Sequence, residues 1–322
     1  PEVDVCVGLG SNKDIAKICK DAIEGKKGNF YGDKELLDLN GERILGGPFY
    51  TAYLKIGDGC DNCCTYCAIP KIRGRMRSRR IEDCVNEAKA LAQKGVKEII
   101  VVAQDTTAYG TDIYGEPKIC DLLKELCKTD GIEWIRTLYT YPERITDELL
   151  NTIKSNEKLV KYLDIPIQHA SGDILKRMNR RGDYKSLVKL VDHIREVIPE
   201  ITLRTTLITG FPGETEEQFE ELDRFVKQTE FERLGCFAYS KEDGTVAGEM
   251  PDQIDEQTKS DRAEHIMETQ MGISAKKMQE KIGKTLKVLI EGWDDYIKCY
   301  FGRSECDAPE IDGKVFFTST KR

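Results

Sequence analysis

The alternation of short β-rich runs with helical stretches from Tyr53 onward constrains the fold of this chain more than any other feature. YLKIG is followed by IEDCVNEAKALAQKG, KEIIVVAQD by a helical stretch near Leu122 to Leu126, and WIRTLYTYP by ITDELLNTIKS. YLDIPIQH then precedes DILKRMNR and YKSLVKLVDHIREV, TLRTTLITGFPGE precedes EEQFEELDRFVKQ, and a sixth strand, RLGCFAYS, ends the series. Strands separated by helices build a parallel sheet, and right-handed crossovers curl it. The expected fold is α/β, a partial (βα)6 TIM-like barrel over residues 51–282, with its functional residues at the C-terminal ends of the strands. A long polar helix from Asp255 to Ile282 is expected to close it. The β-type residues of TLKVLIEGW and YIKCYFGR then predict a small β-rich segment over residues 283–322, near the lower size limit for independent folding. Residues 1–50 are Gly-rich and weakly periodic, with one expected helix around Ile15 to Ile23.

Charge narrows the partners. The net charge is −8, from 57 acidic and 49 basic residues. That balance argues against general adhesion to nucleic acid or to an anionic membrane surface. No run of eighteen apolar residues occurs, and PEVDVCVGLG lacks the basic-then-apolar order of a signal peptide. The expectation is a cytoplasmic protein with no membrane partner. The chain begins at Pro1 rather than Met, so a fragment of something longer is expected.

Four of the twelve cysteines, Cys60, Cys63, Cys64 and Cys67, crowd into one loop directly after the first barrel strand. In a reducing compartment that clustering points to metal rather than disulfides. A Cys-x3-Cys-x2-Cys spacing offers three thiolates to a four-iron cluster and leaves one iron open. Zinc held by all four cysteines is the competing possibility, but zinc sites normally come as separated Cys-x2-Cys pairs. Composition alone leaves both Cys63 and Cys64 available as the middle ligand.

The loop GCDNCCTYC resembles the signature of the radical S-adenosylmethionine superfamily, whose third cysteine follows an aromatic residue, here Tyr66. The resemblance selects Cys60, Cys64 and Cys67 as ligands of a 4Fe-4S cluster and makes Cys63 a bystander. It implies S-adenosylmethionine as cofactor, chelated at the open iron and cleaved to a 5′-deoxyadenosyl radical, in a barrel of the radical SAM type. YLKIGDGCDNCCTYCAIPKIRGRMRSR is similar to the methylthiotransferase branch. AQDTTAYG, YTYPERITDELL, YLDIPIQHAS, LRTTLITGFPGETEEQF and FAYSKEDGTVA resemble its RimO type. The tRNA-modifying MiaB type usually has a Gln-Asn pair and Ser-His-Pro where this chain has Gln104-Asp105 and Tyr141-Pro142.

The implied function is β-methylthiolation of an aspartate in small-subunit ribosomal protein S-twelve, with S-adenosylmethionine as methyl donor and radical source. A tRNA adenosine methylthiotransferase, or a zinc-stabilised binding module, is the alternative. The implied partners are ribosomal protein S-twelve or the small ribosomal subunit, and an electron donor such as a flavodoxin or ferredoxin. The resemblance divides the chain into the tail of an N-terminal methylthiotransferase domain (1–50), the radical core (51–282) and part of a TRAM-like module (283–322). A second 4Fe-4S cluster is expected only in the full-length parent, because Pro1-Glu2-Val3-Asp4 resembles the sequence that follows its last cysteine.

Tyr66, Gln104, Gln168, Arg204 and Thr206 are the implied cofactor-binding residues. Gln104 would meet the methionyl amino group, Arg204 would pair the carboxylate, and Gln168 and Thr206 would reach the ribose or the methionine. Polar residues at strand ends can equally well only satisfy nearby backbone groups. Gly210-Phe211-Pro212-Gly213-Glu214 is expected to open the fifth helix, either approaching the adenosyl group or making a plain turn. Phe237 and Tyr239 are expected in the core. The basic run from Lys71 to Arg80 is either a solvated face or a contact for the ribosomal substrate. His169, His193 and His265 are expected to be structural, as are the thiols of Cys299 and Cys306. No residue is assigned a catalytic role.

Overall fold

Val and Ile on successive positions suit a strand that is covered on both faces, as in the barrel strand Glu98–Val102. The computed structural model describes residues 3–41 and 43–320. Pro1 and Glu2, the start of the segment likened to the sequence after the auxiliary cysteines, lie outside the described residues. The N-terminal part holds β1 (Val5–Val7), α1 (Ile15–Ile23) and β2 (Gly28–Phe30), with β1 and β2 paired in parallel. The first barrel strand, β3 (Thr51–Lys55), leads into a small antiparallel pair, β4 (Gly57–Asp58) and β5 (Arg77–Ser78), with α2 (Ile69–Arg73) between them. Next come α3 (Ile81–Gln93), β6 (Glu98–Val102), α4 (Thr111–Tyr114), α5 (Ile119–Cys127), β7 (Trp134–Thr137), α6 (Asp147–Ser155) and β8 (Leu159–Asp164). The chain continues with α7 (Gly172–Arg177), α8 (Tyr184–Val197), β9 (Thr202–Thr209), α9 (Glu216–Thr229), β10 (Arg233–Ala238) and α10 (Glu256–Gln279). The last elements are β11 (Val288–Asp294), β12 (Cys299–Ser304) and β13 (Val315–Phe317), an antiparallel sheet.

The main sheet runs β3-β6-β7-β8-β9-β10 in sequence order with every pair parallel, and β3 and β10 are its edges. It is the partial six-stranded barrel that the alternation predicts. The helices cover its outer face. In α8, Leu187, Val191 and Ile194 recur at helical spacing and are buried, while Asp183 and Ser186 close a reciprocal capping box. Thr215 and Gln218 do the same for α9, whose Phe219, Leu222, Phe225 and Val226 face inward. The fifth helix therefore starts at Glu216, and the Gly210–Glu214 segment is a separate strap. Glu214 is fully buried there, taking the Gly210 N–H and the Arg262 guanidinium at 2.8 Å.

Strand parity sorts the other face. On β9 and β10 the paired residues Arg204 and Arg233, Thr206 and Gly235, and Ile208 and Phe237 share the lumen side. Tyr239 is 3% exposed, as expected of a core residue, but Phe237 is 59% exposed. Phe237 sits at the open end of an edge strand, so no neighbouring strand covers it, and the core expectation for it is corrected.

The C-terminal sheet is joined to the lumen at the N-terminal ends of the barrel strands. Ala308 packs with Ile100, Trp134, Leu138, Val160 and Tyr162. Tyr162 Oη donates to Asp312 at 2.7 Å, and Arg233 pairs with Asp307 at 2.5 Å. Glu98 lies between Arg136 at 2.9 Å and Arg303 at 2.5 Å, all three at most 2% exposed. The segment after β12 thus closes one end of the lumen, and the strand C-terminal ends bound the other. No helix among the described residues is long and apolar enough to cross a membrane.

Candidate active site

The cysteine loop leaves β4 through Gly59, whose φ of +79° and close approach to Arg75 exclude a side chain: an added Cβ would lie 2.1 Å from the Arg75 carbonyl oxygen. Cys60 N–H donates to Gly74 O at 3.2 Å. The far end is clamped by the segment after α7. Thr65 donates through its N–H to Met178 O and through its hydroxyl to Arg177 O, and Asn179 Nδ2 donates to Cys63 O at 3.0 Å. Cys63 takes a left-handed φ of 52°. Cys60, Cys64 and Cys67 line one cavity of about 650 Å³, while Cys63 is exposed, does not line that cavity, and lines a neighbouring recess together with Cys60, Lys34 and Arg75.

The cavity is built on the strand C-terminal ends. Tyr66, Gln104, Gln168 and Thr206 line it with the three cysteines. Gln104 Oε1 is buried with no hydrogen-bond partner, so it is an acceptor aimed at something the protein does not supply. Gln168 is held in a left-handed φ of 75° by a two-way bridge to β9, its N–H donating to Thr206 O and its carbonyl accepting from Ile208 N–H. Such backbone strain, of order 1–3 kcal/mol, persists where surrounding structure fixes it. Here the bridge also fixes where the Gln168 side chain leaves the strand.

Arg204 does not join this group. It is absent from the cavity wall and pairs with Asp164 at 2.8 Å. The physical reason is depth: two residues before Thr206 on the same face, it lies about 6–7 Å nearer the strand's N-terminal end. Burial pushes the Asp164 carboxyl up against the pull of Arg204. Arg204 is therefore held by Asp164, off the wall that carries the other expected cofactor-binding residues. Two guanidiniums line the cavity: Arg73, held by Asp58 at 3.1 Å, and Arg180, which sequence reasoning missed. Arg180 is 8% exposed, donates to Pro166 O at 2.6 Å, lies 4.0 Å over the Tyr141 ring and brings Nη1 within 4.0 Å of Cys64 Sγ. Nothing in RMNRRGD marks Arg180 over its neighbours, because its partners are far away in sequence.

Burial pushes the Cys60 thiol up to about 11 and raises that of Cys67. Burial likewise holds the phenols of Tyr66 and Tyr141 above their ordinary range. Among the described residues, no three His, Cys, Asp or Glu side chains gather tightly enough to hold a single metal ion.

The basic run after the loop is neither a free patch nor wholly solvated. Lys55, Arg73 and Arg77 converge on the fully buried Asp58 at 2.8, 3.1 and 3.5 Å. Arg79 pairs with Glu87 at 2.6 Å, Lys71 donates to Gly244 O, and Arg75 and Arg80 remain exposed. The run mostly fixes the loop. The histidines are structural as expected: His169 accepts from Ser171 N–H and meets Glu214 at 3.2 Å, His193 pairs with Asp147, and His265 packs edge-on against Phe219. Cys299 is buried and Cys306 partly so.

Residues 54–226 match the radical SAM superfamily and residues 282–322 match the TRAM domain. The chain is 49% identical over 323 residues to a protein named ribosomal protein uS12 methylthiotransferase RimO from Thermoanaerobacter sp., covering 100% of this chain and 73% of that protein. A protein of the same name from Pelotomaculum thermopropionicum is 50% identical, covering 99% and 72%. Among solved structures, the radical S-adenosylmethionine methyltransferase TsrM from Kitasatospora setae superposes with a TM-score of 0.58 at 15% identity, over 76% of this chain and 54% of that one. Coproporphyrinogen III oxidase (HemN) from Escherichia coli gives 0.54 at 18% identity, over 70% and 53%. These two share the fold. With the cysteine loop at the strand ends and this level of identity over the whole chain, the protein belongs to the RimO family of radical S-adenosylmethionine methylthiotransferases.

Proposed function

We propose that this chain carries out β-methylthiolation of an aspartate of ribosomal protein uS12, with S-adenosylmethionine as methyl donor and radical source. The observation that carries it is the convergence of Cys60, Cys64 and Cys67 on one cavity that also contains the unpartnered Gln104 Oε1 and the Arg180 guanidinium. When bound, a 4Fe-4S cluster on these thiolates supplies the electron for reductive cleavage of the sulfonium. Gln104 Oε1 accepts from the methionyl ammonium, and Arg180, in place of Arg204, pairs the carboxylate. Tyr66, Gln168 and Thr206 form part of the remaining walls. The lumen below is closed by the segment after β12, which keeps water from that side. The aspartate enters past Tyr139, a partly exposed residue of the cavity wall.

In this reading residues 51–282 are the radical core, residues 283–322 a TRAM-like module and residues 1–50 the tail of the preceding domain and a linker. The enzyme works in the cytoplasm and takes its electron from a flavodoxin or ferredoxin. Mass spectrometry of ribosomal proteins and tRNA from a strain lacking the gene tests the substrate. Loss of the methylthio group from the uS12 aspartate is expected, whereas loss confined to a tRNA adenosine would transfer the assignment to nucleic acid.

The exchange of one arginine for the other is separately testable. Arg180→Ala should weaken S-adenosylmethionine binding by about ten- to hundredfold, the weight of a charge-assisted hydrogen bond of roughly 1.5–3 kcal/mol. Arg204→Ala should leave that affinity within about twofold once protein is matched for folding, because the lost partner is Asp164. Calorimetry on iron-matched protein reads both, and the opposite ranking would restore Arg204.

A further inference from the structure

One polar side chain outside this set touches a proposed ligand sulfur. Tyr141 Oη lies 3.3 Å from Cys64 Sγ. The sulfurs of Cys60 and Cys67 meet the backbone, at Asn62 and Ile69. Tyr66 is a second phenol near Cys64; Tyr141 is fixed from both sides. Its N–H donates to Thr107 Oγ1 at 3.2 Å, and Pro142 opens a 3-10 turn directly after it. The Arg180 guanidinium lies over its ring at 4.0 Å, and Arg144 approaches at 5.3 Å. A metal-bound thiolate carries no proton, so in this contact the phenol must donate and the sulfur accept.

We propose that Tyr141, polarised by Arg180, sets the reduction potential of the cluster by donating a hydrogen bond to the Cys64 sulfur. The inference rests on Cys64 being a ligand. Reduction adds one electron from an external reductant to the cluster and its thiolates, and no proton leaves the phenol. The added negative charge strengthens a hydrogen bond to a ligand sulfur and its attraction to a nearby guanidinium, so both groups favour the reduced form. A cation over the face of the ring draws density from the phenol and makes its O–H a better donor. Tyr141 is thus a positioning residue for the reaction: it makes the cluster easier to reduce without touching the substrate.

The test is an anaerobic potentiometric titration of the reconstituted full chain, followed by the paramagnetic resonance signal of the reduced cluster. Tyr141→Phe should keep its iron, since all three thiolates remain. At a fixed poise its ratio of reduced to oxidised cluster should fall about tenfold, a midpoint about 59 mV more negative for one electron. Ring-fluorinated tyrosine at position 141, a stronger donor of nearly the same shape, should move the midpoint the other way. Tyr53→Phe, on the same cavity wall without the sulfur contact, should not move it. An unchanged midpoint in iron-replete Tyr141→Phe overturns the proposal. Should that variant lose its iron, an unchanged midpoint with the fluorinated residue overturns it instead. Retention of iron by Cys64→Ala would remove the ligand assignment itself, a failure that the potentials cannot mimic.

Discussion

Cys60→Ala, Cys64→Ala and Cys67→Ala should each leave the reconstituted protein without its four-iron cluster, whereas Cys63→Ala should retain it. Three thiolates hold three irons, and removing one leaves two protein ligands for an assembly that already has one open corner. Cys63 differs in its setting, not its chemistry. It is exposed, its backbone is kinked at φ 52°, and it lines only the recess that it shares with Cys60, Lys34 and Arg75, not the cavity of the three ligands. Alanine at that position keeps the same backbone cost and removes only a solvated thiol. Iron and sulfide analysis of anaerobically reconstituted protein reads the outcome directly. Cluster loss in Cys63→Ala, with retention in Cys64→Ala, would show that the other register is the ligating one. Zinc with neither iron nor sulfide in anaerobically purified protein would remove the radical chemistry altogether.

The barrel was legible because short β-rich runs alternate with helical stretches, one of them an unbroken apolar run, and because some crossover helices announce their start. Glu98–Val102 is fully apolar after its first residue, and Asp183 and Thr215 stand as caps before α8 and α9. Cys60, Gln104, Gln168 and Thr206 were legible for a related reason, since strand ends of a barrel share one rim. What was not legible depended on depth and distant partners. Arg204 has the right face but sits too low on β9, and its pairing with Asp164, forty residues earlier, leaves no local trace. Arg180 reaches the cavity only because the segment after α7 folds back over the cysteine loop. Phe237 looks like a core residue until the edge position of β10 is known.

Glu98→Ala should cost about 3–5 kcal/mol of stability, a large share of the roughly 5–15 kcal/mol typical of a whole domain. Glu98 is the single carboxylate between Arg136 and Arg303, and each of the three side chains is at most 2% exposed. Removing it leaves two buried guanidiniums facing each other, with Glu291, 2.6 Å from Arg303 Nε, as the carboxylate that still pairs with Arg303. Arg136 is already short of one partner at Nη2, and its remaining contacts, Glu305 O and the Tyr162 ring, cannot balance its charge. Because Arg303 belongs to β12 while Arg136 and Glu98 belong to barrel strands, the repulsion is relieved most readily by releasing the C-terminal sheet. Protease sensitivity of residues 283–322 should therefore rise before the barrel itself unfolds. Glu98→Ala combined with Arg303→Leu should recover part of the loss, since one buried charge is then gone and an apolar group fills its place. Urea unfolding with limited proteolysis measures both effects. A loss within about 1 kcal/mol for Glu98→Ala, with residues 283–322 still protected, would mean that water reaches the pair and that the lumen is not closed from below.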